Sequence, residues 1–222
     1  MTAAPEAPAD AEAPPALAAY ESALRAGGEL VVVGDDGVAE RHDVARWAAD
    51  ADATDRRLLA RCPGATLDVG CGPGRLVAAL GRRGVPALGV DVSAAAVALA
   101  LARGASALRR DVLLDPLPGE GRWACALLAD GNVGIGGRPA SLLWRVAALL
   151  APGGVLLAEV DPRDVDRRGR RRILCPDGRL SAPFPWAVLG APALSREARS
   201  GGWRVLEQWS DGGRRFLALA RP

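Results

Sequence analysis

Residues 67–74 read Leu-Asp-Val-Gly-Cys-Gly-Pro-Gly. They follow a short apolar run that predicts a strand over residues 65–69, and they precede a helical pattern over residues 75–82. Glycines between a strand and a helix leave backbone N–H groups that no side chain shields, which favours the close approach of a ligand. We therefore expect a ligand-binding turn at this point of the chain.

Downstream of this turn, short apolar runs alternate with helical segments, which is typical of βαβ units and a parallel sheet. The strands are predicted at residues 65–69, 87–92, 106–109, 123–128 and 155–159, and the helices between them at 75–82, 94–102 and 139–150. A helix at 193–199 is followed by two runs, 203–209 and 214–220, which flank Ser210-Asp-Gly-Gly213 and predict an antiparallel hairpin. The predicted fold class is α/β, with a doubly wound, mostly parallel sheet that this C-terminal hairpin closes.

The chain before residue 63 has a different organisation. Residues 1–16 form an acidic Pro/Ala run that predicts a disordered tail, and residues 17–26 have helical composition. Runs at 30–33 and 38–41 flank Gly34-Asp-Asp-Gly37 and predict a hairpin. Helical spacing continues over residues 43–61, although Ala-Asp-Ala-Asp-Ala-Thr-Asp at 49–55 disfavours a single unbroken helix.

Composition excludes several function classes. The 222 residues suit one core, and the 28 basic residues, all arginine, nearly balance 26 acidic ones to a net charge of +2. This balance argues against a nucleic-acid or anionic-membrane binder. The absence of lysine excludes Schiff-base chemistry and a P-loop lysine, and the single His42 and Tyr20 leave few candidates for acid–base catalysis.

The cysteines and the apolar runs bear on cellular location. The four cysteines, at 62, 71, 125 and 175, form no C-x-x-C pair and have no histidine near them, which indicates neither a zinc site nor a disulfide framework. The longest uncharged apolar run, 92–102, is too short to cross a bilayer, and the first residues lack the pattern of a secretory signal. We expect a soluble cytoplasmic protein.

The spacing of the glycines disfavours a nicotinamide dinucleotide. The dinucleotide fingerprint is G-x-G-x-x-G, but when Gly70 and Gly72 are aligned with it the third glycine position holds Arg75. The spacing observed is G-x-G-x-G, so a nicotinamide-dependent oxidoreductase is the least favoured interpretation.

The motif D-x-G-x-G-x-G at 68–74, with Gly89-Val-Asp91 after the second predicted strand, resembles the first two motifs of class I S-adenosylmethionine-dependent methyltransferases. The resemblance extends through Arg110-Asp-Val112, Leu128-Ala-Asp-Gly-Asn132 and Leu150-Ala-Pro-Gly-Gly154, and it covers about residues 65–159. It implies a seven-stranded Rossmann-like sheet and S-adenosylmethionine as cofactor, with S-adenosylhomocysteine as product. It divides the chain into the tail, an N-terminal cap or lid at 17–62, and a methyltransferase domain at 63–222 with a substrate-side insert at 160–190.

The resemblance also implies which residues hold the cofactor. Asp91 accepts hydrogen bonds from the ribose hydroxyls, Asp68 lies near the amino group of the methionine moiety, and Asp111 with the backbone of Val112 reads the adenine. The full predicted set is Asp68, Gly70, Cys71, Gly72, Gly74, Asp91, Val92, Asp111, Val112 and Ala129. Cys71 is expected to contribute only its backbone. Each carboxylate has an alternative role as a turn former or helix cap, because aspartates at strand ends often serve that purpose.

The acceptor side is predicted around Asp130-Gly-Asn132, which follows the fourth strand. This loop does not read N/D-P-P-Y/F, the tetrad of amino-methyltransferases that act on adenine or amide nitrogen, so we expect a small-molecule acceptor that is methylated on oxygen, nitrogen or carbon. Asn132 and Trp186, the latter within Pro183-Phe-Pro-Trp186, are predicted substrate contacts. The glycine-rich loop has an alternative role as a tight turn that Asp130 caps.

Asp130 and His42 are the candidate catalytic residues. The methyl group of the cofactor is already activated, so catalysis is expected mainly from in-line positioning, and a base is optional. A lone histidine is more often a surface or capping residue than a catalyst. Asp130, Glu159 and Asp161 resemble the magnesium ligands of catechol-type O-methyltransferases only loosely, because the Asp-Asn pair and the lysine are missing, and no metal is expected.

Two questions stay open at this stage. The arginine-rich run at 163–172 is predicted to be a solvated loop; alternatively it grips a carboxylate or phosphate, with residues 170–174 and 178–180 paired as a protruding hairpin. The competing function is a non-catalytic scaffold or partner subunit that binds S-adenosylmethionine or S-adenosylhomocysteine. The oligomeric state is not indicated by the sequence.

Overall fold

The computed structural model describes residues 13–222, which form eleven strands and seven helices. The strands are β1 (Glu29–Gly34), β2 (Ala39–Asp43), β3 (Thr66–Val69), β4 (Ala87–Asp91), β5 (Ala107–Arg109), β6 (Trp123–Leu128), β7 (Leu150–Val160), β8 (Asp166–Leu174), β9 (Phe184–Leu189), β10 (Arg204–Asp211) and β11 (Arg214–Ala220). The helices are α1 (Ala16–Ala26), α2 (Val44–Ala48), α3 (Ala53–Leu59), α4 (Arg75–Arg82), α5 (Ala94–Ala102), α6 (Pro139–Leu149) and α7 (Ala191–Ser200), and one 3-10 turn covers Asn132–Gly134.

The main sheet has seven strands in the order β10-β11-β7-β6-β3-β4-β5. The strands from β5 to β7 are parallel neighbours, whereas β11 runs antiparallel to both β7 and β10. Helices α6 and α7 bury one face of the sheet, and α3 and α4 bury the other. This arrangement confirms the predicted doubly wound sheet and its closing hairpin.

A second sheet of four strands, in the order β2-β1-β8-β9, joins the N-terminal segment to the 160–190 insert. All three pairings in it are antiparallel. The predicted hairpin around Gly34-Asp-Asp-Gly37 is present as β1 and β2. Its open edge is completed by β8, a strand that lies more than a hundred residues further along the chain.

The prediction for the arginine-rich run was wrong. Residues 163–172 were expected to form a solvated loop, but most of them lie in β8, between β1 and β9. The alternative hairpin is present only next to its turn: Leu174 and Leu180 form an antiparallel bridge, and the N–H of Cys175 donates to the carbonyl of Arg179 (2.8 Å). Arg170 and Arg171 instead pair with β9. The physical reason is that alternate side chains of β8 face opposite sides of the sheet, so arginines on one side face solvent while Arg171 and Ile173 are buried.

Smaller differences concern the ends of elements. The helical pattern at 43–61 forms two helices, α2 and α3, because Asp52 caps α3 in a reciprocal capping box with Asp55. Strand β7 begins at Leu150, five residues before the predicted start. Most of the predicted tail lies outside the described residues; within them, the carbonyl of Pro14 accepts a hydrogen bond from the N–H of Ala182 (2.8 Å).

The second sheet is held against the main domain by a small apolar core. Leu30, Val32 and Ile173 are buried on its inner side, where they pack with residues of α1 and with Ala96 at the start of α5. The sheet therefore sits beside the carboxyl ends of the parallel strands, where α5 begins. Among residues 13–222, no helix is long and apolar enough to span a membrane.

Ile173→Ala should lower the free energy of unfolding by about 2–4 kcal/mol, because Ile173 is 5% exposed within this core. Leu174→Ala is the matched control, since the next side chain of β8 is 40% exposed and should cost less than about 1 kcal/mol. Urea denaturation followed by circular dichroism measures both. Equal losses for the two variants would contradict the assigned faces of β8.

Candidate active site

The glycine turn lies at the carboxyl end of β3 and leads into α4. Gly70 has a φ of +70°, and a Cβ atom there would lie 2.6 Å from Nδ2 of Asn132. That Nδ2 donates hydrogen bonds to the carbonyls of Val69 and Gly70, both at 2.9 Å. Asn132, a predicted substrate contact, is therefore placed where its amide nitrogen holds the turn in position.

Asp91 ends β4 directly beside this turn. Its carboxylate accepts one hydrogen bond from the N–H of Gly72 and one from the N–H of Ser93, both at 2.9 Å. The side chain is 8% exposed, and burial raises its pKa. A carboxylate oxygen can accept more than one hydrogen bond, so both oxygens can still bind hydroxyl groups of a ligand. The neighbouring Val92 is exposed and offers an apolar surface next to them.

Asp68 lies on β3, behind the turn, and is 2% exposed. It has no side-chain hydrogen bond to any residue in the 13–222 range, and burial raises its pKa to about 7, against the opposing effect of Arg75. A buried carboxyl group with a raised pKa is easily protonated. A nearby cation stabilises its ionised form. The site therefore contains an acid that a positively charged ligand group could neutralise.

The remaining predicted cofactor residues line the same edge of the sheet. Asp111 uses one oxygen to accept the N–H of Leu113 (2.8 Å), the turn-forming role considered from the sequence, while its other oxygen makes no hydrogen bond within the described chain. Val112, Ala129 and Cys71 are buried. Burial raises the pKa of the Cys71 thiol, which stays neutral.

A network of six charged side chains, the ion cluster, adjoins the glycine turn on the side of α3. Its members are Arg46, Asp55, Arg75, Asp130, Glu159 and Arg214. Arg75, at the start of α4, is 4% exposed and bonds Asp55 (2.9 Å) and Asp130 (2.6 Å). Arg214 bonds Asp55 (2.7 Å) and Glu159 (2.6 Å). No local pattern in the sequence indicates this cluster, because its members come from six different parts of the chain.

Asp130 is part of this cluster. Its two oxygens accept hydrogen bonds from Arg46 and Arg75, and its backbone N–H donates to Glu159 (2.7 Å). Burial favours the neutral form, but the arginines, Arg75 above all, hold its pKa below the ordinary value. Among the non-glycine residues from 13 to 222, it alone has a positive φ, +52°, a strained conformation of the kind found at functional sites.

Three rings from the N-terminal segment lie near the turn and the ion cluster. Tyr20 of α1 lies over the turn, since a Cβ atom at Gly72 would be 3.7 Å from its hydroxyl. Burial, together with the charge of Asp91, holds the pKa of Tyr20 well above its usual value, so it is a neutral donor. Trp47 lies between Tyr20 and His42, with ring centroids 6.3 Å and 5.9 Å away. Neither Tyr20 nor Trp47 is among the site residues that the sequence predicts.

His42 is half-buried on β2 and makes no hydrogen bond to the described residues. Burial lowers its pKa, and the charges of Glu40, Asp130 and Arg171 act on it as well, the two acids in the opposite direction. The imidazole is therefore neutral at pH 7. The charge of Asp130 acts on His42, but the two side chains form no hydrogen bond with each other.

Helix α1 is attached to the start of α5. Glu21 accepts hydrogen bonds from the Ser93 hydroxyl (2.9 Å) and from the N–H of Ala95 (3.2 Å), and these bonds lower its pKa. Ser93 also donates its N–H to Asp91. Two successive hydrogen-bonded contacts thus connect α1 to the carboxylate at the end of β4.

Trp186 on β9 packs against the loop after β6. A Cβ atom at Gly134 would lie 2.5 Å from Nε1 of Trp186, so the glycine leaves room for the indole. A single bridge pairs Trp186 with Ile135, and Phe184 meets its ring edge-on at 6.1 Å. The second sheet therefore adjoins the loop that carries Asp130 and Asn132.

The fold and this arrangement agree with comparisons to known proteins. A family model described as a methyltransferase domain matches residues 41–208. The chain belongs to this methyltransferase family. The match confirms the resemblance to class I methyltransferases that the sequence motifs indicated. A search of curated proteins gave no match.

Solved methyltransferase structures share the fold. A SAM-dependent methyltransferase from Bacteroides fragilis, in complex with S-adenosyl-L-homocysteine, is 22% identical, with a TM-score of 0.75 and 95% of each chain covered. The 1,6-didemethyltoxoflavin-N1-methyltransferase of Burkholderia thailandensis is 20% identical, with a TM-score of 0.59, and the match covers 97% of this chain and 94% of that one. The glycopeptide N-methyltransferase MtfA is 17% identical, with a TM-score of 0.60, and the match covers 78% of this chain and 95% of that one.

Arg75→Met should lower the free energy of unfolding at pH 7 by about 3–5 kcal/mol, because Asp55 and Asp130 would lose their buried partner. The arginines hold the pKa of Asp55 well below its usual range. In the wild type, this acid therefore adds stability above its unfolded pKa, and that stability is lost as the pH falls through the folded value. In the variant the pKa rises, so the deficit should shrink as the pH is lowered from about 7 to about 4.

Arg82→Met is the matched control, since Arg82 lies on the same helix and its side chain is 57% exposed in a pair with Asp50. It should cost at most about 1 kcal/mol with little dependence on pH. Urea titrations at several pH values measure both variants. A deficit for Arg75→Met that does not change with pH would show that the cluster acts through packing alone.

Proposed function

We propose that this methyltransferase binds S-adenosylmethionine and transfers its methyl group to an oxygen, nitrogen or carbon atom of a small molecule, with catalysis mainly by positioning. The observation that carries the proposal is the Asp91 carboxylate, which is held between the N–H groups of Gly72 and Ser93 beside an open glycine turn. A short carboxylate at a strand end suits a ribose diol, and exposed backbone beside it suits a ligand that approaches closely.

The other residues of the site fit the rest of the cofactor. The exposed side chain of Val92 and the free oxygen of Asp111 suit the adenine, with the backbone of Val112, and the glycine turn with Asp68 suits the methionine moiety. Asp68, Asp91 and the three carboxylates of the ion cluster outnumber its three arginines. This excess of negative charge complements a cofactor that carries sulfonium and ammonium groups.

Bound S-adenosylmethionine supplies a methyl group that its sulfonium charge has already activated. The chain must then orient the acceptor and exclude water, and proximity of this kind lowers a barrier by roughly 7–11 kcal/mol. Tyr20 covers the turn, with Trp47 next to its ring, while the second sheet lies against the loop after Asp130 and Asn132. The neutral Tyr20 hydroxyl can donate a hydrogen bond into this space.

A small-molecule acceptor is supported by the enclosure of this space. The inner side of the second sheet lies against α1 and the loop after β6, so the acceptor side has walls on several sides. The loop also lacks the N/D-P-P-Y/F tetrad, which disfavours adenine or amide nitrogen as the acceptor.

Isothermal titration should show that the wild type binds S-adenosylmethionine and S-adenosylhomocysteine and does not bind NAD. Asp91→Ala should weaken binding of S-adenosylmethionine by ~2–4 kcal/mol, because the ribose loses a charged acceptor. Asp177→Ala, a change at an exposed turn aspartate, is the control and should leave the affinity unchanged. Binding of NAD alone would refute the proposal, and cofactor binding without transfer to any of a broad set of labelled-methyl acceptors would favour the scaffold function.

The pH profile of turnover tests positioning against base catalysis. For an acceptor that does not titrate, we expect a flat profile between about pH 7 and pH 9, because the arginines keep Asp130 ionised and burial lowers the pKa of His42, which favours its neutral form. His42→Ala should keep kcat within about tenfold of the wild type and can raise KM. Asp130→Asn should keep more activity than Asp130→Ala, because the amide oxygen still accepts a hydrogen bond from an arginine.

A loss of kcat of about a hundredfold or more in His42→Ala, with cofactor affinity unchanged, would make His42 the base. S-adenosylhomocysteine affinity, measured on the same samples, separates this outcome from damage to the cofactor site.

A further inference from the structure

The side of the second sheet that faces the main domain carries a buried positive charge. We call this side the inner face; its polar and aromatic residues are Glu40, His42, Arg167, Arg171, Phe184 and Trp186. The register supports the assignment, because Val32 is paired with both Glu40 and Ile173, and Arg171 is paired with Phe184. Val32 and Ile173 are buried against α1, which fixes the direction of the face.

Arg171 is a built-in feature of this face. Its side chain is 3% exposed. A Cβ atom at Gly34, its partner on β1, would lie 2.9 Å from Nη1 and closer still to Oδ1 of Asp36, so the glycine leaves room for both side chains. The φ of Gly34 is not positive, so its backbone conformation does not require glycine; the lack of space for a side chain does. Burial of a guanidinium costs free energy of desolvation, and the strand position of Arg171 holds its guanidinium on the buried side of the sheet.

The guanidinium of Arg171 is not fully paired. Within residues 13–222, its Nη1 has no hydrogen-bond partner, and the nearest carboxylate oxygen, on Glu40, is 3.7 Å away. Glu40 is already bonded to Arg167, whose own Nε also lacks a partner in the described chain. Buried donors without partners are rare in folded proteins, and a donor in this state suits an acceptor group of a ligand.

The charges of the inner face leave a surplus of one positive charge. Arg167 and Arg171 supply two, Glu40 supplies one opposing charge on the face itself, and burial lowers the pKa of His42 and so favours its neutral form. The exposed Asp36 of the turn between β1 and β2 adds a further carboxylate beside Gly34. A monoanion balances this surplus, whereas a dianionic phosphate ester would exceed it. A guanidinium binds a carboxylate through two parallel hydrogen bonds, so a carboxylate is the matching group.

Aromatic side chains flank the same position. Phe184 is paired with Arg171 in register, and Trp186 lies two residues further along β9, edge-on to Phe184 at 6.1 Å. Both rings are half-buried, and Trp186 touches the loop after Asp130. A bridge pairs Trp186 with Ile135, so the face reaches the loop on the predicted acceptor side. Half-buried rings of this kind favour a flat aromatic ligand.

We propose that the acceptor is a planar aromatic carboxylic acid, whose carboxylate pairs with Arg171 while its ring lies against Phe184 and Trp186. The inference rests on the proposed methyltransferase function and specifies its substrate class. Arg171 is a binding residue in this proposal and takes no part in the transfer itself.

The test measures binding of matched acids and amides to the full-length protein saturated with S-adenosylhomocysteine. The probes are salicylate, 4-hydroxybenzoate, anthranilate and indole-3-carboxylate, each paired with its uncharged carboxamide, and tryptophan fluorescence or calorimetry gives the affinity. At least one acid should bind about tenfold or more tightly than its amide, because the amide cannot neutralise Arg171.

Arg171→Gln should reduce this ratio to within about twofold, while Arg170→Gln should leave it unchanged. Arg170 is the matched control, because it is the preceding residue of β8 and its exposed side chain points to the opposite side of the sheet. Glu40→Gln provides a second variant that keeps Arg171 in place. It removes the opposing charge on the face itself, so it should raise the preference for the acid.

The proposal fails if acids and amides bind the wild type equally, if no acid binds, if the preference survives Arg171→Gln, or if Glu40→Gln lowers it. Phenyl phosphate that binds more tightly than benzoate would also overturn the carboxylate assignment. Titration of S-adenosylhomocysteine alone tests the proposed function separately. Cofactor binding with no acid preference refutes this inference and leaves the methyltransferase function intact.

Discussion

The pairing of Arg75 with Asp55 and Asp130 is the interaction on which the arrangement of the site depends. Buried charges are stable only when every one has a partner, so the ion cluster constrains all the elements that supply its members. Arg75 begins the helix after the glycine turn, Asp130 ends the fourth parallel strand of the main sheet, and Arg214 begins the last strand. The closing hairpin is thereby linked, through Arg214, Asp55 and Arg75, to the helix that follows the glycine turn.

The site has a proposed cofactor half and a proposed acceptor half, and the sequence predicts the first better than the second. The cofactor half lies within residues 67–112 and is built from local strand, turn and helix patterns, so the turn and Asp91 could be found by inspection of the sequence. The acceptor half combines α1, α2, β2, β8 and β9, which are far apart in the chain. Pairing between distant strands depends on the buried faces of both partners, and neither partner alone indicates the register.

Particular residues show why the rest could not be predicted. Arg171 stands in a run of six arginines and is distinguished from its neighbours only by the alternation of β8, which is visible once β1 is known to pair with it. Asp130 was selected because it follows a strand end, and the sequence does not reveal the three arginines that surround it. Asn132 was predicted as a substrate contact, and its sequence position does not reveal that its amide nitrogen bonds the backbone of the glycine turn.

Helix α1 has eleven residues, a length at which an isolated helix is marginal in water. Its helical state therefore depends on its contacts, which are the apolar packing against the second sheet and the bonds from Glu21 to the start of α5. If those contacts break, the segment loses its helix as well as its position. Exposure of the glycine turn on this side is then an order–disorder transition of α1 and not a rigid hinge movement. Its rate should rise steeply with temperature, as unfolding rates do.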